Sequence, residues 1–185
     1  MTVALTVPEF GEYPHLLTAD DFLALDVDPK LHLELIDGEL ILTPSPMPWH
    51  NEVADELRNM IKPQLDKRFK VFTDLDIRLD DGRVMRPDVI VATRDAFVEN
   101  RAHRAEDVRL VIEVVSPGSA FNDRRTKPIL YKEAELEYWR IERKGDELVL
   151  YQDDDNASHG VHEGATRNDG IRLIVDLVEL ATWLT

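Results

Sequence analysis

The amino-acid sequence predicts an α/β protein. Three observations carry that reading: runs of strand period recur along the chain, short turns rich in Asp and Gly join them in pairs, and segments of helical spacing lie between them. One run also fixes where chemistry is to be expected. Leu110-Val111-Ile112-Glu113-Val114-Val115 is apolar and mostly β-branched except for one carboxylate. Burying a carboxylate without a partner costs several kcal/mol or shifts its pKa, so Glu113 requires a cation, a metal or dense hydrogen bonding.

Residues 1–17 read as a lead-in, and residues 18–185 as one domain. Thr18 precedes Ala19-Asp20-Asp21-Phe22-Leu23-Ala24-Leu25, an N-cap followed by first-turn acids, which predicts a short packing helix. Residues 31–36 alternate in the strand period, Asp37-Gly38 supplies a two-residue turn, and residues 39–43 return as the second arm of a hairpin. Leu31, Leu33 and Leu35 share one face and His32, Glu34 and Ile36 the other; pattern alone makes Glu34 a solvated strand residue. After the break at Pro44-Ser45-Pro46-Met47-Pro48, residues 49–67 have helical spacing through Val53, Leu57, Met60, Ile61 and Leu65, and Pro63 predicts a kink. His50 opens this helix with its side chain able to point inward, as a capping or packing histidine or as part of a site.

Residues 71–79 alternate as one half-buried strand with Asp74 and Asp76 on a solvated face, and Asp80-Asp81-Gly82 turns it into a strand over 84–91. Residues 93–107 are charged and aperiodic, a loop with a helical turn. The Glu113 strand ends at Ser116-Pro117-Gly118-Ser119. Residues 122–135 follow as a helix on which Asp123, Lys127 and Tyr131 share a face. Pro128 lacks the amide that a helix interior needs, so the regular helix should start there, after an irregular turn. Residues 138–142 and 148–151 form a hairpin around Lys144-Gly145-Asp146. Asp153-Asp154-Asp155-Asn156 lacks the spaced ligands of a calcium loop and reads as a solvated turn. His159 and His162 are expected to be exposed, residues 171–175 to form a late strand, and residues 177–184 a closing helix.

Composition narrows the function classes. Thirty-seven acidic residues against 22 basic ones give a formal charge of −15, which repels polyanions at long range unless a local basic channel or bound cations intervene. Cysteine is absent, so there is no disulfide framework, thiolate zinc site or cysteine nucleophile; a cytoplasmic location fits. Residues 1–13 have neither a basic start nor a continuous apolar run, and no segment approaches the roughly 20 apolar residues of a membrane span.

With their two strands adjacent in a sheet, Asp88 near the start of one and Glu113 in the middle of the other would be directed to the same end. Two carboxylates held close both ionise only with a divalent cation between them, and hard oxygen donors suit Mg²⁺ or Mn²⁺. Lys127 at the edge could orient or deprotonate a water and stabilise charge on a phosphate, which implies metal-assisted phosphodiester hydrolysis. The competing reading is structural: Asp88 caps the turn after Pro87, Glu113 pairs with Arg86 or Arg109, and Lys127 pairs with Asp123 along its helix.

The ordered set Pro87-Asp88-Val89-Ile90-Val91, Leu110 to Pro117, Asp123, Lys127, Tyr131 and Tyr138-Trp139, with the Leu33 to Leu40 hairpin, the proline-rich turn and His50 upstream, closely resembles the Uma-type restriction endonuclease family. That family is a bacterial branch of the PD-(D/E)XK nuclease superfamily. The resemblance spans residues 20–142 and, more weakly, the rest. It implies a restriction-endonuclease-like, mixed and twisted β-sheet flanked by helices and entered by an N-terminal hairpin. By resemblance, Asp88 and Glu113 bind Mg²⁺ or Mn²⁺ with the Val114 carbonyl as a third ligand, and Lys127 assists the attacking water. Val115 stands two residues after Glu113, where the superfamily motif has lysine, so Lys127 is the replacement. Glu34 and His50 complete the pocket and Tyr131 supplies an orienting hydroxyl. Two further departures are Ala134-Glu135-Leu136-Glu137 in place of a Gly-Val-Pro-Glu-like turn, and Pro128 directly after the lysine. The expected function is a metal-dependent DNA endonuclease, with a homodimer implied by resemblance. The alternative is a nuclease-fold module that binds a protein or nucleic acid without cutting.

Overall fold

A computed structural model describes residues 16–28, 31–43, 46–96, 102–153, 156–166 and 169–184. Most of the lead-in, and Asp154 and Asp155 of the acidic turn, lie outside these residues. The first helix, α1 (Ala19–Leu23), begins as its residues dictate: the Thr18 hydroxyl accepts the Asp21 amide while the Asp21 carboxylate accepts the Thr18 amide, a complete capping box. The first hairpin pairs β1 (His32–Ile36) with β2 (Glu39–Thr43) through Asp37 at φ 51° and Gly38 at φ 82°, the left-handed pair that a two-residue turn requires. Then comes α2 (Pro48–Ile61), with Pro63 in the 3₁₀ turn that ends it (Lys62–Gln64).

The single strand expected over 71–79 is instead two. β3 (Phe69–Thr73) stops at Asp74, whose φ is 52°, and β4 (Ile77–Arg78) resumes in a different sheet. The return arm breaks in the same place, between β5 (Val84–Met85) and β6 (Val89–Thr93). Pro87 has no amide to continue the ladder, the Arg86 amide is taken by Glu34, and the Arg86 guanidinium bridges the gap to Asp76 at 2.7 Å. Period-two alternation survives such a break, so the pattern could not reveal it. Asp76 therefore pairs across the break, where the alternation placed it on a solvated face.

β7 (His103–Arg104) leads into β8 (Val108–Val115), the Glu113 strand. A π-helical turn (Asn122–Thr126) then opens α3 (Lys127–Glu133): the Lys127 amide reaches back five residues to the Asn122 carbonyl, which places Pro128 in the first turn of regular helix. The chain continues through β9 (Tyr138–Lys144), β10 (Glu147–Asp153), β11 (Asn156–Ser158), β12 (Val161–Ala165), β13 (Arg172–Asp176) and α4 (Leu177–Ala181). β11 and β12 were not anticipated.

Among the described residues the strands form a six-stranded sheet ordered β11-β10-β9-β8-β6-β3, a five-stranded sheet ordered β2-β1-β5-β4-β7, and the β12-β13 pair. The six-stranded sheet is mixed, because β8 and β9 are parallel and joined by α3 while β8 is antiparallel to β6. Both its faces are covered. Val53, Leu57 and Ile61 of α2 pack with Val89, Val91, Leu110, Ile112 and Val114 on one side, and Leu130 and Tyr131 of α3 with Ile90, Ala92 and Val111 on the other. A strand buried on both faces reads as a continuous apolar run, which is how β8 reads. His162 is also a correction: it is buried, its ring edge-on to Trp139 with centroids 4.9 Å apart.

Candidate active site

The register Val89↔Ile112 between antiparallel β6 and β8 brings Asp88 alongside Glu113. Ile112 and Val114 point toward α2, so Glu113 points the other way, toward α3. There Lys127 Nζ lies 2.8 Å from Glu113 Oε1, 3.2 Å from Glu34 Oε1 and 3.3 Å from Asp123 Oδ1, and the Tyr131 hydroxyl donates to Glu113 Oε1 at 3.1 Å. Asp88 Oδ2 accepts the Val114 amide at 2.7 Å and lies 3.1 Å from His50 Nε2. The start of α2 thus delivers His50, β1 delivers Glu34, and the turn of α3 delivers Lys127 and Tyr131 one helical turn apart.

All six side chains expected from the sequence converge, and each is buried: Glu34 1%, Glu113 2%, Lys127 5%, His50 5%, Asp88 7% and Tyr131 0% exposed. Glu34 is the one whose setting the strand pattern misjudged, because the β1 face expected to meet solvent is covered by α3. The structural alternatives fall away in part. Arg86 pairs with Asp76 and Arg109 with Asp169, so neither neutralises Glu113. Asp123, read as a helix partner of Lys127 and as part of the motif that carries the resemblance but given no role in the site, is a member of the cluster at 1% exposure; its four-residue spacing from Lys127 was the signal. The π turn holds it there, with the Tyr138 hydroxyl donating to its carbonyl at 2.7 Å.

Four carboxylates thus face two basic groups in a buried pocket. Burial pushes the Glu113 carboxyl well above the usual range, with Lys127 opposing and the charges of Asp88, Asp123 and Glu34 reinforcing the rise. Burial also raises Asp123. For Lys127 burial acts downward, but the surrounding carboxylates, Glu113 first, outweigh it and hold the ammonium well above its ordinary value. Burial would likewise raise Asp88 and lower His50, yet their mutual hydrogen bond and attraction win: Asp88 is lowered and His50 raised, an ion pair.

The donor chemistry fits a hard divalent cation. Glu34 Oε2 is buried with no hydrogen-bond partner among the described residues, and the acids outnumber the bases four to two. As the side chains stand, no three Asp, Glu or His groups among the described residues are placed to hold one ion. The Lys127 ammonium occupies the point on which Glu34, Glu113 and Asp123 converge. A pair of carboxylates with a backbone carbonyl and waters is a sufficient set for Mg²⁺.

A mixed sheet flanked by helices, entered by a hairpin and carrying an acid–lysine cluster where its interior strands β6 and β8 meet the second sheet, defines a restriction-endonuclease-like fold. The family described as "Uma2: Putative restriction endonuclease" matches residues 19–182, and the chain belongs to it. The fold is also similar to that of a protein from Anabaena variabilis described as a putative nuclease of DUF820, at 19% identity and a TM-score of 0.66, covering 91% of this chain and 99% of that one. No curated protein matches the chain. No helix among the described residues is long and apolar enough to cross a membrane.

Proposed function

We propose that this protein is a divalent-metal-dependent DNA endonuclease whose catalytic domain spans residues 18–185. One observation carries the reading: Asp88 and Glu113 stand side by side on paired strands, with a lysine held against Glu113. Asp88 and Glu113, with the Val114 carbonyl, would hold Mg²⁺ or Mn²⁺, which when bound supplies Lewis-acid polarisation of the phosphate and a more acidic water. The chain's own groups do the rest. His50 orients Asp88 through its 3.1 Å contact and Tyr131 orients Glu113. Glu113 first, then Glu34 and Asp123, keep Lys127 protonated against the downward pull of burial, so its ammonium orients the attacking water and offsets the charge gathering on the phosphate, rather than removing a proton. A water oxygen bonds to phosphorus and gives up a proton, the bond to the leaving strand oxygen breaks, and that oxygen takes up a proton, so that the net change is the addition of one water across the phosphorus–oxygen bond.

The test is cleavage of plasmid and single-stranded DNA with Mg²⁺ or Mn²⁺ by wild type, Glu113→Gln and Lys127→Ala. Cutting by the wild type alone is expected; cutting retained in Glu113→Gln overturns the assignment. The second reading, a module that binds without cutting, draws on Lys127 sitting at the centre of the acids. It predicts neither cleavage nor a Mn²⁺-dependent rise in melting temperature.

A further inference from the structure

A single cavity of about 340 Å³ is lined by Asp88, Glu113 and Lys127, and by one titratable side chain to which no role has been given, His32. His32 reaches it because β1 presents alternate residues on one face. Glu34, two residues on, meets Lys127 at 3.2 Å, and Thr43, the register partner of His32 on β2, lines the same cavity. Burial falls along that face, from a Glu34 side chain 1% exposed to a His32 side chain 24% exposed, so Lys127 marks the inner end and His32 the outer. A carboxylate holds the ring. Asp74, at φ 52° where the long hairpin breaks, donates its amide to the Asp88 carbonyl at 3.3 Å and brings Oδ1 to 3.4 Å from His32 Nε2. Nδ1 makes no hydrogen bond among the described residues.

We propose that His32 is the general acid of the phosphodiester hydrolysis proposed for this site, giving its Nδ1 proton to the leaving strand oxygen. This role rests on the hydrolase reading. In-line displacement puts the leaving oxygen on the far side of phosphorus from the attacking water. With the water at Lys127, that oxygen faces the outer end, where the strand attached to it, far longer than the cavity, runs out to solvent. The other donors lining the cavity do not serve. Arg86 keeps its protons and is tied to Asp76, the hydroxyls of Thr43, Ser116 and Ser119 are far weaker acids than an imidazolium, and His50 is engaged with Asp88. The charges around His32 are Asp74 at its ring, Glu34 along its strand and the Arg86–Asp76 pair across the cavity. As the bond from phosphorus to the leaving oxygen breaks, the proton passes to that oxygen and the imidazolium becomes imidazole. The ring then regains a proton from solvent, which has taken up the one released by the attacking water.

Wild type and His32→Gln are compared with Mn²⁺ on plasmid DNA and on oligonucleotides carrying sulfur in place of the 3′ or the 5′ bridging oxygen of one linkage. A thiolate departs without a proton, so the sulfur substrate bypasses a general acid. His32→Gln should cut plasmid about 100-fold or more slowly, lose far less on the sulfur-bridged linkage, and lack the fall in kcat that the wild type shows as alkali strips the imidazolium. Its melting temperature should stay near that of the wild type, since the side chain it replaces is partly exposed. Plasmid cleavage unchanged in His32→Gln, an equal loss on plasmid and sulfur substrates, or an alkaline fall retained in the variant overturns the role of His32 and leaves the hydrolase standing. No cleavage of any substrate by the wild type sinks the hydrolase, and this role with it.

Discussion

Lys127 is the counter-ion of Glu113: its ammonium lies 2.8 Å from a carboxylate that is 2% exposed, at a point where two further acids also converge. Removing one partner of a buried pair leaves an uncompensated charge, at a cost of about 3–5 kcal/mol. Lys127→Met should lower stability by that order in urea denaturation without metal. If Asp88 and Glu113 take a divalent ion, Mn²⁺ should raise the melting temperature of Lys127→Met more than that of wild type, because the ion replaces the lost charge. An equal or smaller rise would count against metal at this point.

His50 and Asp88 make stability depend on pH in opposite senses. His50 is raised in the folded protein, so its contribution is complete below its ordinary 6.5 and disappears as pH climbs through the folded value. Asp88 is lowered, so its contribution is complete above 3.8 and fades as pH falls through its folded value. A charged hydrogen bond contributes about 1.5–3 kcal/mol. The stability gap between wild type and His50→Gln should therefore be widest between about pH 4 and 6.5 and narrow in alkali. A gap independent of pH would show that His50 is not charged in the pair.

Glu142 sets a separate acid limit. Burial pushes its carboxyl up, but the Arg124 and Lys144 contacts overcome this and hold it at about 2 against an ordinary 4.5. A depressed acid stabilises above 4.5 and loses that contribution as pH falls toward 2. Discounted for the half-exposed side chains of Arg124 and Lys144, the effect is about 1–2 kcal/mol. Glu142→Gln should be less stable than wild type at pH 6 and nearly equal to it at pH 2.5, as read from urea midpoints.

Gly164 has a purely steric role. A Cβ added there would lie 2.4 Å from Trp139 Cζ2 and 2.6 Å from His162 Nε2. Both rings are fixed in a packed core, so Gly164→Ala should cost about 1–3 kcal/mol. An unchanged melting temperature would mean that β12 can lift away from Trp139 freely.

The sequence made the elements legible wherever a local signal existed. The Thr18 cap, the Asp37-Gly38 turn and Pro128 each act within a few residues, and each marks a boundary found in the structure. The lone acid in β8 pointed to the site because its environment is written in its own strand. What could not be read is set by distant chain. Glu34 looks solvated until α3 covers it, and His162 looks exposed until Trp139 packs on it. The break at Asp74 leaves alternation intact, so nothing local announces that one hairpin serves two sheets. Asp123 had its spacing but no sign that its helix would start as a π turn.

That shared hairpin also sets when the site comes into being. Its tip, β4–β5, belongs to the five-stranded sheet with Glu34, and its base, β3–β6, to the six-stranded sheet with Glu113, while Asp88 sits at the joint between them. Neither sheet by itself holds the acids in register. The cluster exists only where residues 34, 88, 113 and 127 have met across long stretches of chain, the kind of non-local pairing that slows folding. A nascent or partly unfolded chain therefore carries the acids but no assembled centre, so whatever chemistry the centre performs is switched on by the completion of the fold.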